Sequence, residues 1–183
     1  MGKDIHMSVV DKDSHKIILD NLFDGRNSDW FDNISCRNKG DDDVYDHLYP
    51  NYGLPECFVE ANDRKYIVEN EDGSHGTGYF DFTYIVVKDF IDWFLKYRPD
   101  KFAGWVTTYE AWNYKMRNVL PTDGYGDHYI KRRLDKDDVI EDYVFMEFVD
   151  EHDCSFYIYE KLLDAIHNKE IKEDDLLVWY FDW

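Results

Sequence analysis

Residues 79–87 are almost all aromatic or β-branched, and directly behind them Lys88-Asp89-Phe90-Ile91-Asp92-Trp93-Phe94-Leu95-Lys96-Tyr97 is apolar at helical period. With Arg98-Pro99 as a stop, this switch of period predicts a strand that runs straight into an amphipathic helix. Such a unit constrains the rest of the chain: the strand needs partners, and the helix needs a core to lie on.

The remaining segments supply both. Residues 107–120 place Tyr109, Trp112, Met116 and Leu120 at three- and four-residue spacings before Pro121, a second helix. Residues 143–149 and 155–159 read as strands flanking the turn 150–154, residues 161–168 as a helix, and 176–183 as a final strand. Residues 56–61 and 64–69 flank Asn62-Asp63 as a hairpin, and residues 70–78 form a glycine-rich connection. Nearer the N-terminus, residues 14–23 carry apolar positions at helical spacing behind Ser14, a candidate N-cap, and end at Asp24-Gly25. Residues 24–41 read as a loop, 43–49 as a short helix stopped by Pro50, and 127–134 as a short basic helix. Strands and helices without strict alternation predict an α+β fold, a mainly antiparallel sheet with helices packed on it. No repeat or linker divides the sequence, so residues 1–183 are expected to form one domain. Within it, 1–50 is the less regular part and 56–183 holds the sheet and helices.

Composition enters where function is asked. At 44% hydrophobic and 18% aromatic residues the chain can bury a real core, which argues against disorder. Its 40 carboxylates against 21 Lys and Arg give a net charge of −19, threaded between the apolar runs instead of gathered in a tail. Fourteen Lys and only four Ala do not fit a salt-adapted acidic surface, and the bias towards Phe, Tyr, Ile, Asn and Lys points to an AT-rich genome. No apolar run approaches the roughly 18 residues of a membrane span, and the N-terminus lacks a signal-peptide stretch, so a cytoplasmic protein is expected. Cys36, Cys57 and Cys154 form no CxxC pattern and read as reduced thiols.

The acidity gathers in three clusters: Asp41, Asp42, Asp43 and Asp46; Asp135, Asp137, Asp138, Glu141 and Asp142; and Glu170, Glu173, Asp174 and Asp175. Like charges this close repel, so a fold carries them at a cost. Carboxylates spaced over a rigid surface imitate the phosphates of a duplex and can occupy a basic, nucleic-acid-binding groove, with interleaved Tyr and Trp as apolar anchors. The plainer alternative is that they are solvated faces and helix caps. In charge, size and compartment the chain resembles acidic inhibitor proteins, the phage DNA mimics that block restriction or CRISPR nucleases and the immunity proteins that plug toxin nucleases. These share no fold. The resemblance implies a basic protein partner, steric and electrostatic occlusion, no cofactor, no direct nucleic-acid or membrane binding, and no turnover.

Two further readings compete. The triplets His6-Met7-Ser8 and His75-Gly76-Thr77 resemble the paired His-x-Ser/Thr motifs of two-histidine phosphoesterases, which would make His6 and His75 acid and base and Ser8 and Thr77 phosphate ligands. Exposed aromatics would equally suit a viral structural or assembly protein that forms homo-oligomers. Asp43, Asp46 and His47, and Glu151, His152 and Asp153, contain hard-cation ligand types without a ligand code, so no metal is expected. The loop 73–78 precedes a strand where a phosphate-binding loop follows one, and Lys131-Arg132-Arg133 is read as a local ion-pairing patch.

Overall fold

The computed structural model describes residues 4–25, 34, 45–52, 68–69, 75–76, 82–121 and 143–182. In chain order the elements are β1 (Asp4–Val10), β2 (Ile17–Gly25), a 3-10 turn (Tyr45–His47), β3 (Asn51–Tyr52), β4 (Val68–Glu69), β5 (His75–Gly76) and β6 (Thr83–Val86). There follow α1 (Val87–Tyr97), β7 (Lys101–Thr107), α2 (Thr108–Arg117), β8 (Tyr143–Val149), α3 (Cys154–His167) and β9 (Leu176–Asp182). The α+β class and antiparallel pairing expected from the sequence are both present. Backbone contacts divide the chain into two compact units, Met1–Arg98 with Tyr157–Trp183, and Pro99–Phe156.

The first unit is built on a five-stranded sheet, ordered β2-β1-β9-β6-β3, with every neighbouring pair antiparallel. Strand alternation sets its core. Ile5, Met7 and Val9 of β1 are buried, Met7 lies beside Trp179 and Val9 beside Leu177, and β6 continues the rows with Thr83 and Ile85. On the opposite face Val10, Phe82 and Val178 form a second buried cluster, joined by Ile17, Tyr84, Leu176 and Tyr180. α1 buries Val87, Phe90, Ile91, Trp93 and Phe94, the stripe that its period predicts. α3 buries Ile158, Leu162 and Ala165, and Phe94 stacks on Tyr159 with ring centroids 4.4 Å apart. Each Val, Leu, Ile, Phe or Met side chain so withdrawn from water contributes about 1.5–3 kcal/mol.

The second unit is an antiparallel β7–β8 pair, in unbroken register from Lys101↔Val149 to Thr107↔Tyr143, with α2 on one face. Val106, Ala111 and Phe148 form its centre, flanked by Phe102, Tyr114, Val144 and Met146. The Val149 backbone N–H donates to the Tyr114 hydroxyl at 3.0 Å, which pins helix to strand. α2 starts with a capping box: Thr107 accepts from the Glu110 N–H while the Glu110 carboxylate accepts from the Thr107 N–H at 2.7 Å. It ends at Asn118, whose φ of 53° turns the chain out of the helix.

Several sequence expectations are corrected. Residues 17–25 are a strand, not part of a helix over 14–23, because they close a hairpin on β1; Ser14 lies in its turn, donating its N–H to the Asp11 carboxylate at 2.6 Å. Residues 155–159 are helical, since α3 begins at Cys154 and the turn 150–153 leads into it instead of into a strand. His75 and Gly76 are not in an unpaired connection but pair with Val68 and Glu69. The strand β7, unforeseen, fills the interval between α1 and α2. Of the segment 24–41, residues 24–25 belong to β2 and Ile34 is helical and buried. Of the short helix expected at 43–49, the described residues Tyr45–His47 form a 3-10 turn, with His47 stacked on Tyr97 at 4.4 Å. Of the hairpin expected over 56–69 only Val68 and Glu69 are described, and they pair with β5; residues 56–67 and the 127–134 helix lie outside the described residues.

The start of α3 carries a pH signature. Asp153 is its N-cap, and Oδ1 accepts from the N–H groups of Ser155 and Phe156 at 2.8 and 3.2 Å. Burial pushes its carboxyl above the ordinary value of 3.8 despite those two bonds. The folded chain therefore holds this proton more tightly than the unfolded chain. Stability from this group falls as pH rises from 3.8 through the raised folded value, then stays level. Asp153→Asn keeps the cap without burying a charge, so at pH 7 it should unfold at the same temperature as the parent or higher, an advantage that fades in acid. Asp153→Ala should lose about 1 kcal/mol in thermal unfolding at pH 7.

Candidate functional site

On β1, His6 and Ser8 share the face opposite Ile5, Met7 and Val9, as alternation requires. β2 brings a carboxylate to each. Asp24 lies 3.3 Å from His6 Nδ1, and the Ser8 hydroxyl donates to Asp20 Oδ1 at 2.8 Å. Across the sheet, the His6 ring stacks on Tyr180 with centroids 4.9 Å apart. The first triplet is therefore set among anions, and the two carboxylates beside its imidazole and hydroxyl oppose a bound phosphate. His75 belongs to a different sheet from His6, while its side chain and Thr77 lie outside the described residues.

Asp20 also leads into a groove between β2 and α3, of about 340 Å³. Asp164 of α3, Glu170 just beyond it and Asp20 supply three exposed carboxylates, and Leu22 and Ala165 supply apolar floor. Lys161 and Asn168 also line the groove, with the Lys161 ammonium 5.4 Å from the Tyr157 ring centroid. Of this set only Glu170 belongs to a sequence cluster. Asp20 and Asp164 are 144 positions apart in numbering (164 less 20) and meet only because β2 and α3 are neighbours. Reading residues 17–25 as a strand is the one signal that would have placed Asp20 and Asp24 on the face of His6 and Ser8.

The third acidic cluster divides in two. Asp175 is fully buried: its carboxylate accepts the Lys12 N–H at 3.2 Å and the Lys172 N–H at 2.7 Å, joining the β1–β2 turn to the loop before β9. It presents no charge to a partner and leaves the candidate surface. Glu170, Glu173 and Asp174 are exposed. Asp174 is paired with the Lys12 ammonium, which holds the Asp174 carboxyl below, and is itself held above, their ordinary values of 3.8 and 10.5. Asp11 is lowered too, first by the Ser14 N–H and then by its hydroxyl. The stability from Asp11 and Asp174 is present above pH 3.8 and lost as pH falls through their lowered values, and that from Lys12 is lost as pH rises above 10.5. Between these limits the Lys12–Asp174 pair is fully ionised, and being exposed it is screened by salt.

Asp41, Asp42 and Asp43 lie outside the described residues, as do Asp135, Asp137, Asp138, Glu141, Asp142 and the side chain of Asp46. Among the described residues no group of three His, Cys, Asp or Glu side chains is gathered that could hold a metal ion. In the second metal-ligand candidate, Glu151 accepts from Asn118, the His152 N–H donates to Asp150, and Asp153 caps α3. No described helix is long and apolar enough to cross a membrane. Comparison of the chain with protein-family models, curated proteins and solved structures finds no match.

Proposed function

We propose that this chain is an acidic inhibitor that binds a basic, nucleic-acid-binding protein, of the kind of an anti-restriction or anti-CRISPR DNA mimic or a nuclease immunity protein. It acts by covering a surface meant for DNA or RNA. The observation that carries the reading is the β2–α3 groove on a chain of net charge −19, with Asp20, Asp164 and Glu170 beside an apolar floor. A Lys or Arg side chain from a partner lays its aliphatic stem on Leu22 and Ala165 and its charge against the carboxylates. A phosphate or a free nucleic acid is repelled there.

Binding of this kind weakens steeply as salt rises, because dissolved ions screen the attraction between the opposite charges. The test is capture of a partner on the immobilised chain at low salt, followed by elution with duplex DNA or with salt. A basic nuclease that duplex DNA displaces is the expected result. Reversing Asp20, Asp164 and Glu170 together to Lys, or Asp137, Asp138, Glu141 and Asp142 together, should lower affinity for that partner at least about tenfold while the circular dichroism spectrum is unchanged. Affinity left unchanged by both sets, and by reversal of the remaining clusters, removes the mimicry.

A further inference from the structure

The β2–α3 groove already holds a cation of its own. Tyr157, four positions before Lys161 on α3, lines it with 44% of its surface exposed, and the Lys161 ammonium lies 5.4 Å from its ring centroid. Phe23 of β2 meets the same ring edge-on, at 6.1 Å between centroids, and braces it. An ammonium this close to an aromatic ring is held by the ring's negative face. The groove thus receives positive charge on a ring as well as beside carboxylates.

Its own lysine leaves those carboxylates unanswered. Among the described residues no cation lies within ion-pair distance of Asp20, Asp164 or Glu170. Asp20 is nevertheless held in place: its Oδ1 accepts the Ser8 hydroxyl at 2.8 Å and the Asn21 N–H at 2.9 Å. A carboxylate fixed in advance loses less freedom when a ligand arrives. One side chain suits a ring, a fixed carboxylate and two further carboxylates together. A guanidinium is planar, so it stacks on the ring while its fork of N–H groups reaches carboxylates. A partner's ammonium instead meets Lys161, the same chemistry tethered in place at high effective concentration.

We infer that the groove is an arginine site in which Lys161 is the resident competitor: an arginine side chain of the partner takes the Tyr157 ring from the Lys161 ammonium and engages the carboxylates that Lys161 leaves open. This rests on the reading of the groove as the place where a partner's cation docks, and adds which cation it is and what occupies the ring until it arrives. Lys161 sets a threshold. Any cation that enters must outcompete it, so weakly held ones stay out.

The test is an NMR titration of the full chain at constant ionic strength, following the Tyr157 ring and Ala165 methyl signals, with Nα-acetyl-arginine amide and Nα-acetyl-lysine amide as probes. The arginine amide should bind at least about fivefold more tightly than the lysine amide, with dissociation in the millimolar range. Lys161→Ala, an exposed change that suits a helix, should tighten both probes at least about threefold, and Tyr157→Leu should remove the preference for arginine. Equal affinity of the parent for the two amides overturns the inference. So does an arginine amide that leaves the groove signals unmoved, or that binds Lys161→Ala no better than the parent. The inhibitor reading fails separately: a nuclease captured by a chain without arginine preference sinks the arginine site alone, and arginine preference without a captured nuclease sinks the inhibitor alone.

Discussion

Asp175→Ala is expected to unfold roughly 6–12 °C below the parent, a loss of about 3 kcal/mol in a chain of this size. The cause is a clasp. One buried carboxylate takes the Lys12 N–H on one oxygen and the Lys172 N–H on the other, so truncation strands two backbone donors. The Asp175 backbone serves the same junction, its carbonyl accepting from the Val87 N–H at the start of α1. Asp175→Asn, with one acceptor oxygen left, should lose about half as much. Glu173→Ala, two residues away and exposed, should change the melting temperature by less than about 2 °C. A melting temperature for Asp175→Ala equal to that of Glu173→Ala would show that the clasp holds nothing.

The second large effect lies at the centre of the sheet. Trp179 is buried between Met7 of β1 and Thr83 of β6, and its indole N–H has no acceptor among the described residues. Trp179→Ala should cost about 3–5 kcal/mol, since the cavity in a sheet held on both sides closes poorly. Trp179→Phe leaves a smaller gap and removes a buried donor that costs about 1–3 kcal/mol, so it should stay within about 1 kcal/mol of the parent. Thermal unfolding followed by far-ultraviolet circular dichroism separates the two, and equal losses would mean that the N–H carries no penalty.

Much of this fold was legible where one period dominated. α1 kept its boundaries within a residue of expectation because apolar spacing, a charged outer face and Arg98-Pro99 all agreed. β8 and β9 were legible as β-prone runs bounded by Asp-rich turns. Residues 17–25 misled because apolar residues at 17, 18, 19, 22 and 23 suit a helix face as well as a strand, and only pairing with β1 decides. Residues 155–159 misled in the other direction. An aromatic run looked like a strand, while the telling pattern was Asp153 as cap with Ile158, Leu162 and Ala165 behind it. α2 shows a different gap: its existence was plain, but apolar spacing did not say which side meets the β7–β8 pair, and that side is Ala111 and Tyr114.

The candidate site was less legible for the same physical reason. Sequence clusters find carboxylates that are neighbours along the chain, and the two clusters at 41–46 and 135–142 remain expectations. In the third, adjacency misassigned Asp175, which turns inward to hold two amides while Glu173 and Asp174 face water. The groove formed by Asp20, Asp164 and Glu170 is a property of which strand borders which helix. That information resides in pairing.

The position of β2 at one end of the described five-stranded sheet has a consequence for the behaviour of the folded chain in crowded solution. An end strand offers a row of unsatisfied amides to any passing β-segment, and long flat ones recruit neighbours into fibrils. β2 is neither flat nor neutral: its register with β1 slips near Ser8, Asn21 stands at a φ of 53°, and Lys16, Asp20 and Asp24 project beside or along it. The kink breaks the hydrogen-bonding template and the charges deter what remains. Asp20 thus guards a backbone edge as well as lining a groove, and the protein's surplus charge protects its own sheet from growing.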